Sequence, residues 1–78
     1  MESLIEYIAR SLVDDPTQVE IYPRRSGSSV IFELTVAQED MGRVIGKGGR
    51  VAMAMRALLR VAAAHEDIRA SLDIVDPV

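Results

Sequence analysis

The sequence predicts an α+β fold in which helices and strands follow one another in the order α-β-β-α-α-β. Three observations support this prediction. Apolar residues recur at helical spacing near the N-terminus and again in the second half of the chain. Three short runs in which apolar and polar residues alternate lie between and after these helical regions. The 78 residues are enough for one small two-layer domain, expected to span residues 1–78.

The first helix is predicted over residues 3–13. Ser3 and Glu6 have the spacing of a capping box, in which each side chain bonds a free backbone amide of the first turn. The apolar face of this helix is expected to be Leu4, Ile5, Ile8 and Leu12. Asp14-Asp15-Pro16 is expected to end the helix, because the residue before a proline is disfavoured in the helical region.

The alternating runs predict a three-stranded sheet with the helices packed on one face. Residues 17–22 and residues 29–36 form two of these runs, joined by a short segment, and therefore predict a hairpin. The joining segment has the composition of a turn, with Arg24 and Arg25 at its tip. Residues 68–75 alternate in the same way and predict the third strand.

Residues 38–66 are predicted to be helical with one interruption. The first helix of this region starts at Gln38-Glu39-Asp40, where acidic side chains suit the positive end of a helix dipole. The second helix runs from about Gly49 to Ala64. Its expected core face is Val51, Met55, Leu58 and Ala62. Arg56 and Arg60 are expected on the opposite side.

Charge is segregated along the chain. The net charge is −3, which taken alone disfavours a nucleic-acid partner. Residues 41–60, however, contain five basic residues and no acidic residue, whereas residues 1–40 carry −5 and residues 61–78 carry −3. The basic residues of this window are Arg43, Lys47, Arg50, Arg56 and Arg60. A local excess of this kind indicates an anionic partner at one place on the surface.

The composition argues against several classes of protein. Cysteine is absent, which excludes a disulfide framework and a Cys-ligated zinc site. The single histidine, His65, has no nucleophile or carboxylate at a meaningful spacing, so we expect no enzymatic activity, metal or cofactor. No apolar run approaches the roughly 20 residues of a membrane span. Met1-Glu2-Ser3 begins with an acid rather than a basic segment, so no signal peptide is expected and the expected compartment is the cytoplasm.

Three glycines in four residues, Gly46-Lys47-Gly48-Gly49, separate the last two predicted helices. A tight helix corner with a glycine cap accounts for one or two of them. The glycines that a cap does not explain indicate a place where the backbone of another molecule approaches closely. Free amides at the start of the following helix favour a phosphate there, and Lys47 and Arg50 add positive charge.

Two nucleotide-binding motifs are excluded by spacing. A Walker A loop would need a glycine at position 41 and a hydroxyl residue at position 48, where this chain has Met41 and Gly48. A dinucleotide fingerprint would need a glycine at position 51, which is Val51, and a preceding strand. A nucleotide-dependent enzyme is therefore disfavoured.

The segment Val44-Ile45-Gly46-Lys47-Gly48-Gly49-Arg50 resembles the I-G-x-x-G signature of KH domains. The element order is that of the bacterial, type II KH fold. Over essentially all its residues the chain is similar to small, free-standing bacterial KH proteins of the KhpA (YlqC) type. The resemblance implies single-stranded RNA binding, a role as RNA chaperone or post-transcriptional regulator, and a part in cell-envelope growth and cell shape. It also implies a partner KH protein of the KhpB (Jag, EloR) type.

The resemblance implies a set of RNA-binding residues, which are Gly46, Lys47, Gly48, Gly49, Arg50, Arg43, Ile45, Val51, Ala52, Arg24 and Arg25. Among these, Ile45 is either a wall of the groove or a core residue. The far wall is expected from the second strand and the turn that holds Arg24 and Arg25. Relatives commonly carry a polar residue where this chain has Gly48, which implies a looser loop and weaker affinity. Tyr22 either stacks on a base or is a half-buried strand residue.

A second apolar stripe lies on the last helix, off the expected core face. It consists of Met53, Ala57, Val61 and Ala64. Because a helix that is apolar nearly all round usually has a partner on a second side, we predict a dimer with Val61 near its centre. The alternative is that these are scattered exposed apolar residues.

Two functions remain open. The first is an RNA-binding module that acts as a homodimer or with a second KH protein. The second is a protein-interaction adaptor that uses the fold as a dimerisation scaffold.

Overall fold

The computed structural model describes residues 1–77, so Val78, the last residue of the predicted domain, lies outside the described residues. The elements are α1 (Glu2–Leu12), β1 (Glu20–Ser26), β2 (Ser29–Thr35), α2 (Met41–Ile45), α3 (Arg50–Ala64) and β3 (Arg69–Ile74). Short 3₁₀ turns occupy Pro16–Gln18, Gln38–Asp40 and Lys47–Gly49. The predicted element order is confirmed. Among the described residues, no helix combines the length and the apolar character that crossing a bilayer requires.

β2 is the central strand of the sheet. It pairs with β1 in antiparallel orientation and with β3 in parallel orientation. Its alternate residues Val30, Phe32 and Leu34 are buried, whereas Ile31 is exposed on the other face. The helices cover the buried face, because Ile5 of α1, Val44 of α2 and Leu59 of α3 belong to the same core cluster. The domain is therefore a two-layer α+β fold with helices on one face, as predicted.

The core face of α3 is rotated by about one position from the predicted one. The residues that are buried are Ala52, Met55, Leu59 and Ala63. The prediction of Leu58 as a core residue is wrong, because this side chain is 51% exposed. Arg56 and Arg60 lie beside the core face rather than opposite it. Arg56 reaches the sheet, where its Nε donates to the carbonyl oxygen of Leu72 at 3.1 Å.

β1 lies further along the chain than the predicted strand over residues 17–22. It continues to Ser26, and the turn consists only of Gly27 and Ser28. The prediction of Arg24 and Arg25 at the tip of a turn is therefore wrong, because both lie within the strand. Tyr22 is exposed on β1, so its prediction as a half-buried residue is also wrong.

The two ends of α1 differ in how well the sequence predicts them. Met1 is the residue before the helix, and no side chain caps its first turn, so the predicted capping box at Ser3 is not formed. The predicted stop before Asp14 is confirmed, since α1 ends at Leu12. Asp15 caps the following 3₁₀ turn, and the hydrogen bond from the Thr17 side chain lowers the pKa of its carboxyl group.

Asp40 is buried, with 2% of its surface exposed, and ties α2 to the loop after α1. Its two carboxylate oxygens accept the backbone N–H groups of Asp14 and Asp15, each at 3.1 Å. The Nε of Arg43 lies 3.2 Å from one of them. A buried carboxylate with this many donors is a strong anchor. The sequence predicts only a favourable effect of Asp40 on the helix dipole. In the structure Asp40 also holds the start of α2 against the loop that follows α1.

Candidate nucleic-acid interface

The segment Gly46-Lys47-Gly48-Gly49, which we call the glycine corner, joins α2 to α3. Lys47–Gly49 forms one 3₁₀ turn, and the N–H of Gly49 donates to the carbonyl oxygen of Gly46 at 3.0 Å. All three glycines have positive φ, between 65° and 77°. L-residues pay a steric penalty in that region. The backbone conformation of the corner is therefore one that residues with a Cβ atom rarely adopt.

Gly46 and Gly48 have different surroundings. A Cβ atom at Gly46 would lie 2.4 Å from Cγ2 and 2.8 Å from the backbone nitrogen of Val51. A Cβ atom at Gly48 would meet nothing within 4 Å. Gly46 is thus required for the close packing of the corner against the first turn of α3, whereas Gly48 leaves the outer surface of the corner bare. A bare outer surface is where a second backbone can approach closely.

Of the three basic residues nearest the corner, two are available to an anion. Lys47 and Arg50 are exposed and form no ion pair within the described part of the chain. Arg43 is held by two carboxylates, since its Nη2 lies 3.0 Å from the Asp14 carboxylate and its Nε lies 3.2 Å from the Asp40 carboxylate. The positive potential at the corner therefore comes from Lys47, Arg50 and the N-terminus of α3, which has no side-chain cap.

Apolar residues border the corner on both sides. Ile45 is exposed, and the preceding Val44 is the core residue, so the interpretation of Ile45 as a core residue is wrong. Val51 is half-buried against Gly46. Ala52 is buried in the core and offers no surface to a ligand, so its expected place in a groove wall is wrong.

Arg24 and Arg25 lie away from the corner. Arg25 lines a cleft together with Met1 and Glu66, which places it near the C-terminal end of α3. α3 has 15 residues and is about 22 Å long, so this cleft and the corner are at opposite ends of the helix. Arg24 pairs with Glu33 at 2.9 Å on the outer face of the sheet. The expected far wall at these two arginines is therefore not formed beside the corner.

β3 is the other edge strand of the sheet and lies beside α3. α3 packs against β3, and the N–H groups of Arg69 and Val75 point toward β2, where they donate to backbone carbonyls. Backbone groups point to alternate sides along a strand, so Ala70, Leu72 and Ile74 direct theirs away from β2. Arg56 bonds the Leu72 carbonyl oxygen and bridges the two elements. The spacing of Arg56 and Arg60 is visible in the sequence, but the strand beside them is set by tertiary structure.

The predicted dimer residues lie on the side of α3 that faces away from the core. Met53 and Val61 are 56% and 59% exposed, and Ala57 and Ala64 are exposed between and beyond them. Leu58, which the sequence places in the core, extends this patch. We call these five residues the apolar stripe. It is continuous along α3 and borders the arginine side of the helix.

Comparison with known proteins identifies the family. Residues 2–74 match the family model described as KhpA/KhpB, KH domain. The chain is 47% identical over 75 residues to the RNA-binding protein KhpA of Clostridium acetobutylicum, covering 96% of this chain and 100% of that protein. It is 45% identical over 76 residues to the RNA-binding protein KhpA of Halalkalibacterium halodurans, covering 97% and 100%. The corresponding protein of Treponema pallidum is 47% identical over 75 residues, covering 96% and 94%. The chain belongs to the KhpA/KhpB family of KH-domain proteins.

Proposed function

We propose that this protein binds single-stranded RNA and that the glycine corner clamps the RNA backbone. The observation that carries the proposal is the bare outer surface of the corner at the start of α3, with Lys47 and Arg50 exposed beside it. The relatives named above are RNA-binding proteins, which supports the same conclusion. In KH domains this loop clamps about four nucleotides.

In this proposal the glycine corner binds the phosphates of the RNA, and a second surface, between α3 and β3, binds the bases. A phosphate at the corner would receive hydrogen bonds from backbone amides at the helix N-terminus. Lys47 would add a mobile point charge and Arg50 a planar fork of donors. The bases would lie in the groove between α3 and the free edge of β3, with Ile45 and Val51 at its upper end. Backbone contacts carry little base information, so we expect weak base preference.

This mode of binding suits an RNA chaperone or post-transcriptional regulator of the cytoplasm rather than an enzyme. Contacts to the backbone order a single strand without selecting one sequence. Arg43 has a positioning role in this proposal, because its pairs with Asp14 and Asp40 hold α2 in place before the corner. The proposed clamp is therefore Gly46 to Arg50, with Ile45 and Val51 as its apolar border.

The salt dependence of binding tests the proposal. A fluorescent single-stranded RNA of about 12 nucleotides should bind at 50 mM salt and about 20-fold more weakly at 200 mM salt, if about three phosphates are contacted. Fluorescence anisotropy measures both affinities. No binding at low salt, or an affinity that salt does not change, would contradict the proposal and favour the adaptor function.

We also propose that the apolar stripe is a dimer interface. Exposed apolar side chains at Met53, Leu58 and Val61 form one continuous surface, and Ala57 and Ala64 let a second helix approach closely. The partner is a second copy of the chain or a KH domain of the KhpB type, since one family model describes both proteins. Two weak RNA grooves in one dimer would raise avidity without new contacts.

Val61→Lys should shift the dimer toward monomer and raise its dissociation constant at least about tenfold, because a charge would be buried at the centre of the interface. Sedimentation equilibrium over a range of protein concentrations measures this constant. The matched control is Tyr7→Lys, which introduces the same charge at another exposed large side chain, on α1. A wild-type protein that is monomeric at high concentration would contradict the homodimer.

A further inference from the structure

The ion pair between Arg43 and Asp14 lies beside the glycine corner. The Nη2 atom of Arg43 donates to a carboxylate oxygen of Asp14 at 3.0 Å. Arg43 belongs to α2 and precedes Gly46 by about one helical turn. Asp14 belongs to the loop that follows α1. The pair therefore borders the corner on the side of α2.

Both partners of this pair are anchored on one buried carboxylate. The Asp40 side chain is almost fully buried, and its oxygens accept the backbone N–H groups of Asp14 and Asp15. The Nε of Arg43 lies 3.2 Å from the same carboxylate. Asp40 thus holds both the backbone of Asp14 and the inner edge of the Arg43 guanidinium. The side-chain carboxylate of Asp14 is not needed for either contact.

The Asp14 carboxylate itself lies in solvent. The side chain of Asp14 is 78% exposed and that of Arg43 is 52% exposed. Ion pairs this exposed contribute little to stability, because water screens them and ordering two side chains costs entropy. The Asp14 side chain can therefore turn away while its backbone stays bonded to Asp40. The outer edge of the guanidinium is then open, with Nε still at Asp40.

The outer edge of an arginine binds a phosphate as readily as a carboxylate. A guanidinium carries five N–H donors in a planar fork, and both anions accept two of them in parallel. A phosphate next to the one that the corner clamps would approach Arg43, which lies one turn from Gly46. Such a phosphate and the Asp14 carboxylate would compete for the same donors, because two anions repel each other at one guanidinium.

We propose that the Asp14 carboxylate is an internal competitor of RNA, which occupies Arg43 in the free protein and gives way to a phosphate of the clamped strand. The inference rests on the proposed function and adds a regulated contact to it. Arg43 then has two roles, since its contact with Asp40 positions α2 and its outer edge receives the phosphate. Asp14 lowers the affinity for RNA in this scheme, whereas an ion pair that only held α2 in place would raise it.

Asp14→Asn separates these two cases by the sign of its effect. Asparagine keeps the shape of the side chain and the backbone bond to Asp40 but loses the charge. The affinity for a single-stranded RNA of about 6 nucleotides should therefore rise about fourfold, a gain that matches the loss of one exposed ion pair. Fluorescence anisotropy at about 100 mM salt measures it, where the Debye length is about 10 Å.

The matched control is Glu66→Gln. It removes one exposed carboxylate just beyond the end of α3, about 20 Å from the glycine corner. Because charges beyond the Debye length are largely screened, this control should change the affinity less than about 1.5-fold.

A second variant tests whether the gain depends on Arg43. Arg43→Gln should remove one phosphate contact and lower the slope of log affinity against log salt by about 0.7. In this background Asp14→Asn should change the affinity less than about 1.5-fold, because the group for which the two anions compete is gone. Urea unfolding checks that each variant is folded.

The outcomes separate this inference from the proposed function. A gain in Asp14→Asn that disappears in the Arg43→Gln background supports the competition. If Asp14→Asn weakens binding or leaves it unchanged, or if its gain persists without Arg43, while a charge reversal at the corner still abolishes binding, the competition is overturned and the clamp stands. If the wild-type protein binds no RNA at low salt, both proposals are overturned.

Discussion

Replacing Lys47 and Gly48 together by aspartate is expected to weaken single-stranded RNA binding by at least about 100-fold. The change removes an exposed positive charge of the corner and places two carboxylates where a phosphate is proposed to sit. Two like charges about 4 Å apart repel by about 4 kcal/mol at an effective dielectric constant of 20. A 100-fold loss corresponds to about 2.7 kcal/mol, so the repulsion is large enough to produce it.

The double variant is expected to fold. Lys47 is exposed, and a side chain at Gly48 meets open space. Aspartate also tolerates the positive φ of this position better than most residues. Circular dichroism checks the fold, and anisotropy with fluorescent RNA at two salt concentrations measures the affinity.

A charge-matched control distinguishes the corner from net charge. Ser3→Asp with Arg10→Asp changes the net charge by the same −3, at two exposed positions of α1. This control should lose less than about threefold in affinity at moderate salt, where charges beyond a Debye length of about 8 Å are largely screened. A control that loses as much as the corner variant would show that binding follows total charge and would remove the clamp assignment.

Gly46→Ala is expected to lower the free energy of unfolding by about 2–4 kcal/mol. The backbone of Gly46, with φ 77° and ψ 169°, lies in a region that is essentially confined to glycine and costs a residue with a Cβ atom about 1–3 kcal/mol. The methyl group would also overlap both the side chain and the backbone nitrogen of Val51, at 2.4 and 2.8 Å. A small domain has about 5–15 kcal/mol of stability in total, so the loss is a large share. Urea unfolding followed by circular dichroism measures it.

Alanine at two other glycines provides controls, one of which should lower the free energy of unfolding slightly and the other raise it. Gly48 lies in the left-handed helical region, with φ 65° and ψ 19°, and a side chain there meets no steric overlap, so Gly48→Ala should cost only about 1 kcal/mol. Gly42 lies inside α2 with open space around it, and Gly42→Ala should stabilise the protein by about 0.5–1 kcal/mol. Equal losses at Gly46 and Gly48 would contradict the close packing of the corner against Val51.

The fold could be predicted where its signals are local. The alternation of Val30, Phe32 and Leu34 is visible over seven residues and fixes both the strand and its buried face. The glycine corner is equally local, because three glycines between two helical patterns mark a break wherever the helices go. These features need no knowledge of which elements are neighbours in space.

The errors arise where neighbours decide the outcome. Leu58 and Leu59 are adjacent apolar residues, and either fits a helical stripe. The sheet selects Leu59 for the core and leaves Leu58 exposed. β1 extends through Pro23 because it is an edge strand, where a missing backbone donor is tolerated. In the sequence Asp40 is an acidic residue near the start of a helix. In the structure it accepts hydrogen bonds from the backbone N–H groups of Asp14 and Asp15, in the loop after α1.

The candidate site divides in the same way. Gly46, Lys47 and Arg50 are continuous in sequence, and the structure keeps them together. Arg24 and Arg25 depend on the order of strands, which puts β1 and β3 at opposite edges of the sheet. The sequence shows two arginines near a hairpin, but only the strand order shows that β3 is the edge strand that packs against α3.

The most direct test of the clamp is a map of backbone amide chemical shifts during titration with a short single-stranded RNA at low salt. The proposed function predicts that the largest shifts belong to Lys47, Gly48, Gly49 and Arg50, and that they follow one binding curve. Shifts confined to the apolar stripe around Val61, or the absence of shifts at the glycine corner when binding is saturated, would contradict it.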